Sequence, residues 1–549
     1  MPTLVLGPLL RHVGMTDATF WVETDRPCRV DVLGGSEDTF TAGGHHYALV
    51  VVDGLRPGTH VDYEVRLDGE LAWPPEGTPR PVVRTQGSDE PFTLAFGSCR
   101  VSLPHHPPYA LTKDEDDKGR EVDALGALGR RMRHGPTSAW PDALLLAGDQ
   151  VYADEVSPAI LRRIEQRRDV TAGAGEEVAD FEEYTWLYRE AWADPTMRWL
   201  LSVVPSAMIF DDHDVHDDWN TSGAWVESMR AKGWWEERII GAYVSYWIYQ
   251  HLGNLGPAEL AEHELYQSIR GSREDVEPVL RRWAVQARDE VAGTRWSFTR
   301  DFGGTRLVVL DTRAGRMVAD DKARQMLSPE QWEWAGTQLT GDVDHLLIAS
   351  TLPLLLAPGL HALEGWNEAV CAGAWGGLAA RVGERIRQGL DLEHWSAFRA
   401  SFALLADQLR AVGAGERGAP PASIVVLSGD VHHAYLAEAG FPREAGVQSA
   451  VVQAVCSPVR NPLDSHERFM LRSALSRPAR IIAGALARAA GVREPPIRWR
   501  FPEAPTFDNQ IATLTLEGRA ARLRIEKTLA EEWEHPQLHV SLDRVICTA

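Results

Sequence analysis

Asp149 and Tyr152 stand in the run Ala143–Asp154, ALLLAGDQVYAD, where an apolar stretch ends at Gly148 and a carboxylate follows at once. A carboxylate and a phenolate delivered by the end of a buried strand can hold one hard metal ion together. Other side chains of ligand type follow other apolar runs: Cys99 in GSCR, Asp212 and His213 in DDHDVHDDW, Arg313 in DTR, and Asp430 and His432 in SGDVHH. Cys99 as thiolate, Tyr152 as phenolate and His432 as imidazole form, with Asp149, an anionic set suited to a trivalent, redox-capable ion such as iron. Asp212 and Asp430 add oxygen donors suited to a harder divalent ion such as calcium. Asp149 has two oxygens to share, so it is the natural bridge between two cations about 3.5–4 Å apart, a pair that activates water and clamps a transferring oxyanion. His213 is the expected proton donor beside it.

Read singly, each motif has a plainer meaning. Gly-Asp after a strand is commonly a turn, a lone cysteine a small buried hydrophobe, and His213 could be a satisfied polar group under a loop. Their shared position after apolar runs, backed by Gly or a second acid, is what points to one site. Arg100, next to Cys99, is expected to contact a substrate phosphate and assist catalysis, with an ion pair to a nearby acid as the alternative. Arg313 is read as a substrate contact or as support for the ligands. Asp154 and Asp214 are expected to orient ligands, and His105, His106, His216 and His433 are candidates to line the cleft.

Six apolar runs must position these side chains: 92–96, 143–147, 207–210, 307–310, 346–349 and 424–427. Short continuous runs separated by long helical stretches predict an α/β layered region. The spacing predicts a helix over 225–251, capped by Ser222 and stopped at Gly253, with its aromatics read as core, and a second over 393–412. Ile511–Leu516 and Ala521–Ile525 flank Glu517-Gly518 as a hairpin, and the acidic run 114–117 reads as a solvated loop. Earlier in the chain, Val61, Tyr63, Val65 and Leu67 alternate with charged residues as one half-buried strand. Recurrent turn chemistry around it predicts a small β-sandwich domain over 1–89, joined through a linker at 86–91 to a catalytic domain over 90–549.

The chain has 549 residues, 44% apolar and 24% charged, an ordinary folded composition with room for more than one domain. Its net charge of −22 argues against nonspecific nucleic-acid binding, which needs a broad basic surface. A small anionic substrate remains compatible, because cations held in a pocket reverse the local field. Five scattered cysteines without paired spacing fit a reducing compartment. No apolar run approaches the roughly 20 residues of a membrane span. The first residues, MPTLVLGPLLRH, read as a strand rather than a leader, so a cytoplasmic location is expected. One segment breaks the acidic balance: seven arginines fall between Arg472 and Arg500 against Glu494 alone, with Ile481, Ile482, Leu486 and Val492 as an apolar side. Such a segment is expected to be a mixed-charge surface insertion or a peripheral contact with an anionic membrane.

In their order, GSC at 97–99, GDQVYAD at 148–154, DDHDVHDDW at 211–219 and SGDVHHAY at 428–435 resemble the alkaline phosphatase D (PhoD) family of calcineurin-like metallophosphoesterases. That family is similar in its site to the purple acid phosphatases, and the resemblance runs from Phe92 to about Pro462. It implies a four-layer α/β sandwich of the metallophosphoesterase type, preceded by a small all-β domain of the immunoglobulin or fibronectin kind. It implies Fe3+ held by Cys99, Asp149, Tyr152 and His432, and Ca2+ held by Asp149, Asp212 and Asp430, with other divalent ions admissible at the second position. Asp212 stands where the wider superfamily has an Asn and Asp430 where it has a His, and both exchanges favour calcium over zinc. Ser350 or Thr351 stands where purple acid phosphatases supply a further His. Members of the family are commonly exported through a twin-arginine leader, and none is seen here. The implied reaction is hydrolysis of phosphomonoesters, phosphodiesters or both by a metal-activated hydroxide, with His213 stabilising the developing charge. An iron–thiolate redox or peroxidase-type enzyme, and a non-catalytic metal-binding protein on the same fold, are the alternatives.

Overall fold

The computed structural model describes residues 1–87, 90–319 and 324–548. Up to Arg84 the chain is all β: β1 (Leu4–Val13), β2 (Asp17–Thr24), β3 (Arg29–Val32), β4 (Gly35–Asp38), β5 (Phe40–Ala42), β6 (His45–Asp53), β7 (His60–Asp62), β8 (Val65–Leu67), β9 (Glu70–Trp73) and β10 (Val82–Arg84). Two antiparallel sheets, β1-β2-β6-β5 and β4-β3-β8-β9, share a core that includes Phe20, Val22, Val30, Val50 and Leu67. Successive strand residues point to opposite faces, so Leu9, Trp21, Tyr47 and Leu49 join the main core of the molecule instead. The alternation through Val61–Leu67 is real, but it spans two strands and not one. β7 pairs with β10 and β8 with β3; the chain changes partner at buried Tyr63, whose hydroxyl donates to the Ser202 carbonyl at 2.6 Å. Within the linker expected at 86–91, Ser88 and Asp89 lie outside the described residues.

Two larger sheets follow. Their strands are β11 (Phe92–Gly97), β12 (Ala143–Ala147), β13 (Ser206–Ile209), β14 (Phe298–Phe302), β15 (Thr305–Leu310), β16 (His345–Ser350), β17 (Ser423–Ser428), β18 (Tyr435–Gly440), β19 (Ala450–Val455), β20 (Arg498–Arg500), β21 (Gln510–Glu517), β22 (Ala520–Lys527) and β23 (His539–Cys547). All six expected runs are strands among them. The first sheet runs β13-β12-β11-β21-β22-β23, with β11 to β13 parallel and the expected hairpin supplying β21 and β22. The second runs β14-β15-β16-β17-β19-β18-β20, with β15, β16, β17 and β19 parallel. Parallel neighbours align their carboxyl ends, so each sheet sends its chemistry-bearing loops to one edge.

Alternation also divides the second sheet between two cores. Leu307, Leu347 and Val425 pack in the main core that also holds Phe96 and Leu144 of the first sheet. Val308, Ile348 and Val426 pack with Trp395, Phe402 and Leu405 on the other side. The architecture is therefore mixed α/β, with an all-β N-terminal region.

The helix expected over 225–251 is broken. Ser222 caps Gly223–Arg230, and after a turn containing Gly233 a second helix, Trp235–Tyr246, continues through a wider π-type turn, Trp247–His251, to Asn254. Its aromatics Tyr243, Tyr246, Trp247 and Tyr249 are core, as expected. Gly253 does not stop the helix. A Cβ there would collide with the buried Arg11 guanidinium, which donates to the carbonyls of Ser206, Tyr249 and Gln250 and ties the N-terminal region to the α/β region. The second expected helix starts at Arg399, not Glu393, and the six residues lost from it belong to the site loop. The basic segment forms the helices Ser465–Ala474 and Arg477–Ala489, with Ile481 and Ile482 exposed. No helix among the described residues is long and apolar enough to cross a membrane. All five cysteines are unpaired.

Candidate metal centre

Where β12 ends, the backbone turns through Gly148 (φ 112°) into Asp149 (φ 50°). Cys99 (φ 58°), Asp430 (φ 66°) and His432 (φ 49°) are left-handed as well. Such backbone costs a non-glycine residue about 1–3 kcal/mol and persists only where its surroundings over-determine it. Here the Asp214 carboxylate does so, accepting from the N–H groups of Asp149 (3.0 Å), Gln150 (3.2 Å), Val151 (3.2 Å) and Asp211 (2.9 Å). Burial still lifts the Asp214 pKa to about 7. Gly429 lets the end of β17 close on that of β11, since a Cβ there would overlap the Ser98 side chain.

Asp149 is 1% exposed, and its Oδ1 has no hydrogen-bond partner among the described residues. Burial, reinforced by Asp212, Asp211 and Asp214 and only partly opposed by His213, pushes its pKa well above the usual carboxylate range. Carboxylate oxygens of Asp149, Asp211 and Asp212 lie within 4.8 Å of one another, as do those of Asp212, Glu393 and Asp430. Asp212 also groups with His213 and Asp217. Asp212 is common to all three groups, whereas Asp149 and Asp430 share none.

Cys99 is fully buried, with Ser98 Oγ 3.2 Å from its Sγ, and the thiol donates to the Asp430 carbonyl at 3.7 Å. Burial, then the charges of Asp149 and Asp430, push the thiol pKa up. Burial, then Asp149 and Cys99, do the same to the Tyr152 phenol, which accepts from Asn461 Nδ2 at 3.3 Å. Burial and the nearby His213 push the His432 imidazole down to about 3, so it is neutral, with one ring nitrogen carrying a lone pair. Unpartnered buried oxygens (Asp149 Oδ1 and Asp211 Oδ2), a neutral imidazole, a thiol and a phenol make a donor set that fits a metal ion.

His213 stacks on Tyr152 with ring centroids 4.7 Å apart. Its Nδ1 meets Asp154 at 3.0 Å, which leaves Nε2 on the other side, 3.9 Å from Asp217. Burial disfavours the imidazolium, but Asp154, Asp212 and Asp149 outweigh that and hold its pKa well above the ordinary value. Asp154, kept down at about 2 against burial by His213, is the acid that holds this imidazole.

Arg313 is fully buried and holds four carboxylates: Asp211, Glu393 (2.5 Å), Asp212 (3.2 Å) and Asp430 (3.1 Å). Its guanidinium is committed to these four carboxylates. Arg100 is likewise committed, to Asp123 (2.8 Å) and the Ala191 carbonyl (2.9 Å), which is the ion-pair alternative. Among the other expected cleft histidines, His216 and His433 bond backbone carbonyls at 2.9 and 2.6 Å, and His106 bonds that of Pro107 at 2.8 Å. His105 lines a separate small cavity beside Asp123. Ser350 and Thr351 spend their hydroxyls on Leu352 and Thr312.

Several members of the site were not picked out from the sequence. Glu393 bridges Arg313 and Arg316, and His394 joins Asp430 (3.1 Å) to Glu364 (2.7 Å), which also accepts from Ser396 at 2.5 Å. Asp211, the first acid of the DDHD run, is the fourth partner of Arg313. The only signal for Glu393 and His394 is that an acid and a histidine precede a helix.

Residues 1–85 match the model of a domain of unknown function, DUF7800, and residues 129–484 match that of the PhoD-like phosphatases. The chain belongs to the PhoD-like phosphatase family. The match encloses Asp149, Tyr152, Asp212, Asp430 and His432 and begins after Cys99. A solved structure described as "Structure of PhoD" shares the fold at a TM-score of 0.58 and 13% identity, covering 99% of this chain and 92% of that one. No curated protein matches. Membership in the PhoD-like phosphatases agrees with a site built of buried acids at the ends of parallel strands.

Proposed function

We propose that this PhoD-like protein hydrolyses small phosphate esters, monoesters, diesters or both, at a two-metal centre. Asp149, Cys99, Tyr152 and His432 would hold an iron ion, and Asp149, Asp212 and Asp430 would hold calcium or another divalent ion. The observation that carries this reading is the Asp149 carboxylate, buried at the meeting of the strand ends with an oxygen that has no hydrogen-bond partner among the described residues. Bound there, the ions supply Lewis acidity and an acidified water.

The protein's own part is positioning. Asp154 fixes His213 through Nδ1, so Nε2 is the atom that donates to the leaving-group oxygen or the developing oxyanion. Tyr152, stacked beneath, restricts the ring to that orientation. Arg313 keeps Asp211, Asp212 and Asp430 together at the second position. In the wider layout, the two large sheets with helices outside them are read as the four-layer sandwich, and residues 1–89 as a separate β domain.

The test is hydrolysis of p-nitrophenyl phosphate and bis(p-nitrophenyl) phosphate with iron and calcium supplied, and again with Asp149→Ala. The variant is expected to lose on the order of 10⁴-fold in kcat and its bound metal, as when one member of a catalytic unit is removed. Full activity in Asp149→Ala overturns the assignment. Iron without calcium, together with turnover of peroxide, favours the redox alternative.

A further inference from the structure

The basic segment has a place in the fold that the phosphatase reading does not use. The helix Arg477–Ala489 lies along the helix Pro358–Cys371, and the chain returns through Gly491 to β20. Between these pieces and the start of the helix Arg399–Gly413 is a cavity of about 690 Å³. That volume is in the range of small-molecule sites, which are apolar with a few placed polar groups.

Its buried end is aromatic. His361 meets Phe402 at 4.7 Å and Trp499 at 4.8 Å between ring centroids, and Ile497 and Ala487 fill in around them. Burial drives the His361 pKa to about 3, so this end carries no charge to repel a hydrocarbon chain. The exposed end is cationic. Arg480, Arg488, Arg493 and Arg498 all line it against the single acid Glu494, and among the described residues none of the four forms an ion pair, in a chain of net charge −22. Arg399, on the same wall, is instead paired with Glu368. Ser396, which donates to Glu364, also lines the cavity, so an occupant would sit one contact from the residues that reach Asp430.

We infer that this cavity binds a single-chain amphiphile with an anionic head, its chain on the His361–Phe402–Trp499 surface and its head among the four arginines. Unpaired cations around an apolar cavity complement such a molecule in both charge and polarity.

The experiment is calorimetric titration of the full chain with decanesulfonate, below its micelle concentration, against octanesulfonate, decanol and methanesulfonate. Decanesulfonate is expected to bind one-to-one. Octanesulfonate should bind about fifteenfold more weakly, since it lacks two methylenes and each buried methylene is worth about 0.8 kcal/mol. Decanol should be at least about tenfold weaker for want of the charge-assisted bonds, and methanesulfonate should show no binding in the cavity. Gly484→Leu fills the cavity from a helix position where an added Cβ meets only the Arg488 guanidinium, at 3.7 Å, so it is compatible with the fold. It is expected to remove decanesulfonate binding with the melting temperature kept. The double variant Arg480→Gln/Arg488→Gln should bring decanesulfonate down to the level of decanol. Equal affinity in Gly484→Leu and the parent, or equal affinity for decanol and decanesulfonate, overturns the proposal. Binding to phosphatidylglycerol vesicles with none to decanesulfonate also overturns it, and assigns the segment to membrane contact through Ile481 and Ile482.

Discussion

The two halves of the centre treat negative charge in opposite ways. Among the described residues, no arginine or lysine bonds to Cys99, Asp149, Tyr152 or His432, and burial raises the pKa of the first three. Across Asp212 the same density of acid is met from within. Arg313 holds Asp211, Asp212, Asp430 and Glu393; Arg316 adds to Glu393, and His394 to Asp430. There Asp430 and Glu393 have lowered pKa values in spite of burial. One half calls for a cation from outside, and the other carries its own. Asp211 and Asp212 lie between the two cases: burial still raises both pKa values although Arg313 opposes it, so their charge is only partly met from within.

Arg313→Met is the strongest way to break that contrast. It leaves Asp211 and Asp212 without an ion pair among the described residues and weakens the hold on Glu393 and Asp430, and removing one partner of a buried ion pair costs about 3–5 kcal/mol. The metal-free variant should melt well below the parent, and calcium should restore more stability to it than to the parent. An unchanged melting curve would show that these acids do not depend on the guanidinium.

Asp149→Asn should move the other way. Removing a buried carboxyl whose pKa is raised by burial and by neighbouring acids, with His213 opposing only in part, is expected to stabilise the metal-free protein by about 1–2 kcal/mol while abolishing metal binding, the usual trade between stability and a functional site. Calorimetry with and without metal reads both effects. A metal-free Asp149→Asn protein less stable than the parent would mean that the first half is satisfied internally after all.

The smallest effect gives a reference far from the centre, where the internal cation can titrate. Burial opposes the His45 imidazolium, but Glu182 and Glu23, at 2.8 and 3.0 Å, raise its pKa from 6.5 to about 9. A raised pKa adds stability that is fully present below about 6.5 and lost as pH climbs through about 9. With screening at this partly exposed site, His45→Gln should lose about 1 kcal/mol at neutral pH and nothing near pH 10. Denaturation at both pH values checks it, and equal losses would remove the histidine as the cause.

Much of this was legible in the linear chain. Six apolar runs became six strands, because a strand buried on both faces leaves a continuous hydrophobic signature. The acids, cysteine and histidine after them came together, because parallel strands align their carboxyl ends. The split of Val61–Leu67 between two sheets left no trace, since side-chain alternation is the same whichever strand lies alongside. Glu393 was taken into a helix because its own preference and the apolar pattern after it agree with one; the pull of Arg313 and Arg316 comes from residues about 80 positions away.

The candidate donor types, their order and the strands that carry them are written in the linear chain, since residue chemistry and local periodicity are local properties. Where the charges find partners was settled by packing. It turned Arg100 to Asp123, and it placed Arg313 among four acids drawn from three separate stretches. A guanidinium has enough reach to serve a substrate or a carboxylate equally well, and which one it meets depends on distances that exist only once the two sheets have packed.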